Sequence, residues 1–284
     1  MLYLKLFRLW QWGKNLIIFI PLILSKELTL ISFMKTAVLF FSFSFLVSGT
    51  YILNDIADIE QDKLHPEKKF RPLAANQINI NSAKLVSSFL IIGSLLFINF
   101  YFDSKIFYLS FSYLLITYIY SKRFKFINFL DSLSIATLFI IRLLLGSWLN
   151  NISITDALFS FIFTLCLLIV YLKKNSIINK SVFNKSRFFL ILEKQNKKIS
   201  YLVILYLLLF ANLVTLIYWG YNFSDNLIEF ALLFLLILVY SFFLIRLINF
   251  SEVGKVEDFI LTIISKNFLF HYLLMFLLFI YIYF

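Results

Sequence analysis

Residues 51–72 read YILNDIADIEQDKLHPEKKFRP and gather five acids and, with His65, five bases. The 50 residues before them hold one acid, Glu27. The surroundings make this stretch an outlier. Of 284 residues, 62% are hydrophobic and only 14% charged, with a mean hydropathy of +0.91. Soluble domains use ~45–50% apolar and ~25% charged residues, so this chain has more apolar surface than a soluble core can hide. Apolar runs of ~20 residues cross the hydrocarbon as helices. The expected class is an all-α polytopic membrane protein in which 51–72 marks a span ending in charge.

Working outward, the apolar runs predict nine spans, near 10–25, 33–53, 83–102, 105–120, 131–149, 156–172, 200–219, 227–248 and 268–284. They make a single transmembrane domain over 1–284. The opening MLYLKLFRLWQWGKNLIIFIPLIL puts bases and Trp before its apolar run without a small-residue cleavage site, and it reads as an uncleaved first span. With the N-terminus on the cytoplasmic side, 22 of the 26 Lys and Arg fall on cytoplasmic segments. Lys26, Lys35 and Lys105 fall outside, and Arg142 lies within a span. That asymmetry is the positive-inside pattern. It also accounts for the net charge of +11 without nucleic acid. Cys166 is the only cysteine, so neither a disulfide nor a cysteine metal site is available. Chemistry on a polar substrate is expected at the cytoplasmic face, where the loops are long and carry most acids.

On a helix, Asp55, Asp58 and Asp62 share one face, and Asn54 adds a neutral oxygen four residues before Asp58. Stacked carboxylates repel and need a positive partner. Hard oxygen ligands with an open side suit Mg2+, which binds through a few carboxylates plus substrate phosphates. The plainer alternative is a solvated helix end paired with Lys63, Lys68 and Lys69. Ionisable groups where a span ends are usually functional, which favours a metal–diphosphate site. The cations of HPEKKFRP, His65 to Pro72, follow directly. There Lys68 and Arg71 are expected to clamp phosphate oxygens, Arg71 in bidentate fashion.

The next cytoplasmic turn repeats the theme. Tyr120, Lys122, Arg123 and Lys125 end one span and Asp131 opens the next. Asp131 and Arg142 lie eleven residues apart on one helical face, roughly 16 Å along the axis. A buried arginine there calls for an anion, either a protein carboxylate or a substrate phosphate. Lys14 and Asn15 sit at the mouth of the first span, and Glu257, Asp258, Lys266 and Asn267 precede the last. The basic loop 173–198 suits anionic headgroups. A transporter or channel fits poorly, because the charges gather at one face and Arg142 alone lies deep in a span.

These residues together resemble the UbiA superfamily of intramembrane prenyltransferases, whose N/D-D-x-x-D-x-x-x-D motif matches NDIADIEQD at Asn54–Asp62. The details are most similar to its decaprenyl-phosphate phosphoribosyltransferase branch. RLWQWGKN from Arg8, HPEKKFRPLAA from His65, and Tyr120, Ser121, Asp131, Arg142 and Gly146 match that branch. The likeness is dense over about 8–147 and thinner afterwards. It implies a nine-helix bundle with a cytoplasmic cap in a bacterial plasma membrane. It also implies Mg2+-dependent transfer from 5-phosphoribosyl diphosphate to a polyprenyl phosphate for cell-surface glycan synthesis. Asp55, Asp58 and Asp62 would bind metal, with Asp58, Asp62 and Asp131 as the catalytic carboxylates. Lys14, Asn15, Asn54, Lys68, Arg71, Tyr120, Lys122, Arg123 and Arg142 would bind substrate. Membrane lipids are expected partners, and a homo-oligomer is left open. The aromatic prenyltransferases pair a second Asp four residues after the position of Asp131, where this chain has Ile135. That departure favours a phosphoribosyl donor over a prenyl diphosphate. Asn267 stands where the family commonly has Asp.

Overall fold

The computed structural model describes residues 2–25, 28–183, 201–221 and 227–253, and they form helices and turns without a strand. The chain divides into two compact units, Met1–Ile154 and Thr155–Phe284. Every residue expected to bind metal or substrate belongs to the first.

The first unit begins with α1, Leu2–Leu6, and continues as an eleven-residue 3-10 helix, Leu9–Phe19, called the arm below. Pro21 falls in the first turn of α2, Ile20–Leu24, where its missing N–H costs no helical bond. A capping box starts α3, Leu30–Ala57. Thr29 Oγ1 accepts from the Ser32 amide at 3.1 Å, and Ser32 Oγ accepts from the Thr29 amide at 3.0 Å. After the short α4, Ile59–Leu64, a loop leads to Asn79, whose side chain caps α5, Ile80–Tyr101. Helices α6, Ser104–Lys122, and α7, Asn128–Leu149, complete the unit.

Small residues bring α3 and α5 together. A Cβ on Gly49 would meet Ile91 Cγ1 at 2.6 Å, and Ser87 Oγ donates to the Gly49 carbonyl at 2.8 Å. Close backbone approach sealed by a hydroxyl is how helices associate where lipid supplies no hydrophobic drive. Phe43, Leu46, Ile98, Ile141 and Leu145 fill the core among these helices. A smaller cluster, Leu6, Ile52, Leu73, Ile78 and Ala83, supports the loop after α4. Along α5, Phe89, Ile92, Leu96 and Phe100 are exposed, an inverted pattern suited to lipid.

The second unit contains α8, Asp156–Phe183, α9, Tyr201–Tyr221, and α10, Leu227–Glu252. One of its polar ties is the buried Asn212. The Asn212 amide donates to the Phe161 carbonyl and Thr164 Oγ1, both at 2.9 Å, and its Oδ1 accepts from Tyr240 at 2.6 Å.

Six helices among the described residues are long and apolar enough to cross a membrane. They correspond to six of the nine expected spans. The expected first span is a 3-10 arm followed by a short α-helix, not one continuous α-helix. The fourth forms α6 but is diluted by Ser, Thr and Tyr. The ninth, 268–284, lies outside the described residues, as do Glu257, Asp258, Lys266, Asn267 and most of the basic loop.

Candidate functional site

The acidic stripe is cut at its middle member. Helix α3 stops at Ala57, and Asp58, at φ −97° and ψ 4°, leaves helical geometry before α4 resumes. Hydrogen bonds continue on both sides, from the Asp58 amide to the Asn54 carbonyl at 3.0 Å and from the Asp62 amide to the Asp58 carbonyl at 2.8 Å. The break divides the three carboxylates between different partners.

Asp55 and Asp62 are both buried, at 4% exposure. Arg71 joins them through one nitrogen, donating to Asp55 Oδ1 at 3.1 Å and to Asp62 Oδ2 at 2.6 Å. Arg8 forks onto Asp55 from the other side, with Nε 3.1 Å from Oδ2 and its second nitrogen bonded to Oδ1. Its guanidinium also lies 5.3 Å from the Tyr51 ring centre. Charge-assisted forked bonds of this kind are short and directional. Arg8 holds a left-handed backbone, φ 52° and ψ 51°, a conformation costing a non-glycine residue ~1–2 kcal/mol. Such strain recurs at functional sites. Asp58 pairs instead with Lys125, whose ammonium reaches both carboxylate oxygens at 2.8 and 2.7 Å.

Two of the lysines that follow the triad have contacts elsewhere. Lys63 pairs with Glu60 at 2.8 Å, and the Lys69 ammonium lies 5.0 Å from the Phe70 ring. Lys68 opens a 3-10 turn, Lys68–Phe70, and its amide donates to His65 Nδ1 at 3.2 Å. The Glu67 amide donates to the same nitrogen at 3.1 Å. Burial, helped by the charge of Lys68, pushes the His65 pKa down to about 4. His65 is therefore a neutral acceptor that shapes the loop delivering Arg71.

Tyr120, at the end of α6, reaches Asp131 in the first turn of α7, with Asp58 and Tyr51 nearby. The two sequence clusters thus converge. Lys122 and Arg123 lie exposed at the end of α6, with the Lys122 ammonium 5.3 Å from the Tyr118 ring. Lys14 is half-buried on the arm. Asn15 and Arg142 meet each other inside the bundle, where Arg142 Nε donates to Asn15 Oδ1 at 2.7 Å. Among the described residues no protein carboxylate is ion-paired with Arg142; neutral oxygens surround it instead.

Asn54 Oδ1 is buried and has no hydrogen-bond partner among the described residues. This oxygen and those of Asp55, Asp58 and Asp62 are of the chemical type that Mg2+ takes. Among the described residues, no three acidic, His or Cys side chains already stand together as a metal cage. The protein's own cations hold the carboxylates. In the sequence Arg8 stands outside the expected site residues, and Lys125 is one of several bases around the end of α6. Arg8's place in RLWQWGKN and Lys125's place beside Asp131 were the available signals.

The UbiA prenyltransferase family profile matches residues 16–274. An uncharacterised protein of Sinorhizobium fredii is 36% identical over 163 residues, 56% of this chain and 31% of its own length. The decaprenyl-phosphate phosphoribosyltransferase of Mycolicibacterium smegmatis is 28% identical over 122 residues, 43% of this chain and 38% of that one. The chain thus spans about a third of the length of these two curated relatives. A UbiA homologue from Archaeoglobus fulgidus, solved with DMAPP and Mg2+, covers 94% of this chain and all of its own at a TM-score of 0.64 and 18% identity. That likeness establishes the fold.

Proposed function

The chain belongs to the UbiA prenyltransferase family, and on that footing we propose that it transfers a phosphoribosyl group from 5-phosphoribosyl diphosphate to a polyprenyl phosphate. The bond from the anomeric carbon to the diphosphate oxygen breaks, and a bond to the acceptor's phosphate oxygen forms. Diphosphate leaves with the bonding electron pair. The observation that carries this reading is the convergence of Arg8, Arg71 and Lys125, from three separate segments, on the Asp55–Asp62 carboxylates. A donor bearing both a diphosphate and a 5-phosphate needs such a density of cations. The partial match to phosphoribosyltransferases and Ile135 in place of a second carboxylate support the same donor.

Asp55, Asp58, Asp62 and Asn54 would hold Mg2+, the ion bound in the Archaeoglobus relative. When bound, it would neutralise the diphosphate leaving group. Arg71 and Lys125 would exchange their carboxylates for phosphate oxygens as donor and metal enter together. Lys68, Lys122 and Arg123 add positive charge at the exposed side. Asp131, oriented by Tyr120, accepts a ribose hydroxyl or the acceptor's remaining proton; the anionic nucleophile needs little other base assistance. The basic loops favour the cytoplasm for this face; the acceptor's isoprenoid would then lie in the plasma membrane and its product would feed a surface glycan.

The test is to incubate purified protein with Mg2+, radiolabelled 5-phosphoribosyl diphosphate and a polyprenyl phosphate. The expected result is a labelled product extractable into organic solvent. Absence of that product together with prenyl transfer from a prenyl diphosphate to an aromatic acceptor would overturn the proposal.

A further inference from the structure

We propose that Arg142 is a positioning residue: acting through Asn15, it fixes the 3-10 arm and thereby holds Arg8 against Asp55. The inference rests on reading Asp55 as part of the donor site.

Arg142 is 3% exposed and Asn15 fully buried. An ionised group this deep is costly unless its donors are satisfied. Arg142 meets that demand with neutral oxygens. Its Nε donates to Asn15 Oδ1 at 2.7 Å, and its terminal nitrogens donate to Tyr113 Oη at 2.9 Å and the Leu138 carbonyl at 2.6 Å. Ring centres of Tyr113, Phe139 and Phe43 lie 4.9, 5.3 and 5.8 Å from the guanidinium carbon. Such rings attract a cation without a counter-charge. A planar fork of five donors can tie the arm, α6 and its own helix at once, which an ammonium on a flexible stem cannot do.

Asn15 is held from both sides. Its Oδ1 is taken by Arg142, and its Nδ2 donates to Ser44 Oγ at 2.8 Å. One turn further along α3, Ser48 Oγ accepts from Trp12 Nε1 and donates to the Phe7 carbonyl, both at 2.9 Å. Beyond Asn15, the Ile18 carbonyl presses onto Gly146, one turn after Arg142 on α7. The arm therefore runs between two serines of α3 and an Arg–Gly pair of α7. Runs of 3-10 helix longer than 3–4 residues are uncommon and mark strain or function. Arg8 caps this one seven residues before Asn15, about 14 Å away at the 3-10 rise. Its guanidinium is placed by where the arm is pinned.

If Arg142 were interior polar glue alone, its loss would lower stability without involving Arg8. Residues this far apart normally contribute independently. The experiment is a double-mutant cycle of Arg142→Met and Arg8→Gln in the full chain in lipid nanodiscs. Amide exchange over residues 9–19, thermal midpoint and affinity for magnesium pyrophosphate are read together. Arg142→Met should speed arm exchange about tenfold or more while leaving α5 protected, and should weaken pyrophosphate binding by about tenfold, the loss of one charge-assisted bond. Arg8→Gln should weaken binding equally with the exchange of 12–19 unchanged, and the double variant should bind no worse than Arg8→Gln alone. Arg142→Lys gives the same pattern, reduced, if Arg142→Met does not fold. Additive losses, or weaker binding with an unchanged arm, would overturn the inference, the latter by making Arg142 a direct ligand. If the wild type ignores magnesium pyrophosphate, the functional reading fails. The exchange data and the midpoint cycle then still decide the coupling, which additive midpoints would refute.

Discussion

Gly146→Ala tests the contact on which the arm's placement depends. A Cβ at this position would stand 1.9 Å from the Ile18 carbonyl oxygen, 2.8 Å from its carbon and 3.3 Å from its Cα. All three are main-chain atoms, so no rotamer change relieves the clash. Reaching even the 3.0 Å limit of real Cβ contacts requires about 1.1 Å of separation. That would stretch the Asn15 bonds to Arg142 and Ser44, now 2.7 and 2.8 Å, beyond good hydrogen-bond geometry. Overpacking costs ~1–3 kcal/mol, and a main-chain obstacle belongs at the upper end. Alanine recovers ~0.5–1 kcal/mol of helix propensity. The net loss is about 2 kcal/mol, or roughly 4–8 °C in thermal midpoint. Gly93→Ala is the control, because a Cβ there meets nothing within 4 Å; the propensity gain alone should raise its midpoint by roughly 1–4 °C. The assay is helical circular dichroism against temperature for the two variants and wild type in one lipid composition. If Gly146→Ala melts at or above Gly93→Ala, α7 and the arm do not touch as described.

Other predictions concern the charged cluster. Asp55→Asn strips the anion from between two guanidiniums at a side chain 6% exposed and should cost ~3–5 kcal/mol. Asp58→Asn leaves Lys125, whose side chain is 28% exposed and can hydrate, so it should cost under ~1 kcal/mol while abolishing turnover. Comparable destabilisation of the two, or surviving activity in Asp58→Asn, contradicts the assignment. Arg71→Gln empties the position between Asp55 and Asp62 and should tighten Mn2+ binding about tenfold in the absence of phosphate, read by electron paramagnetic resonance; unchanged affinity would mean that Arg71 and the ion do not compete. For His65, the folded-state pKa of about 4 lies below the ordinary 6.5, so the unfolded chain takes up the proton first. Its contribution is complete above pH 6.5 and drains away as pH falls toward 4. Thermal midpoints of wild type and His65→Gln should converge over that window, and a constant difference would exclude the loop role.

The membrane class and the position of the charged turns were legible because burial in lipid leaves long apolar runs that no local detail disguises. The triad was legible as residue types but not as geometry. Spacing of three, four and seven assumes an unbroken helix, and the break at Asp58 arises where α3 meets the loop carrying Arg71. Arg8 and Lys125 were hidden for a related reason. They come to Asp55 and Asp58 from 47 and 67 residues away, and a base at a span end carries the same letter whether it reports topology or binds a carboxylate. Arg142 shows the converse. Its depth was plain, but its partners are an amide, a phenol and a carbonyl, residue types that charge matching does not search.

The arm also alters how length should be measured in this chain. Its eleven residues advance about 2.0 Å each, and the five of α2 about 1.5 Å each. Laid end to end they would reach about 30 Å, the thickness of a bilayer's hydrocarbon, where sixteen residues of α-helix would stop near 24 Å. A segment short by residue count gains length in ångströms, because the tighter 3-10 winding rises further per residue. Rewinding the arm as α-helix would shorten it by one helical turn and strand one of its two ends.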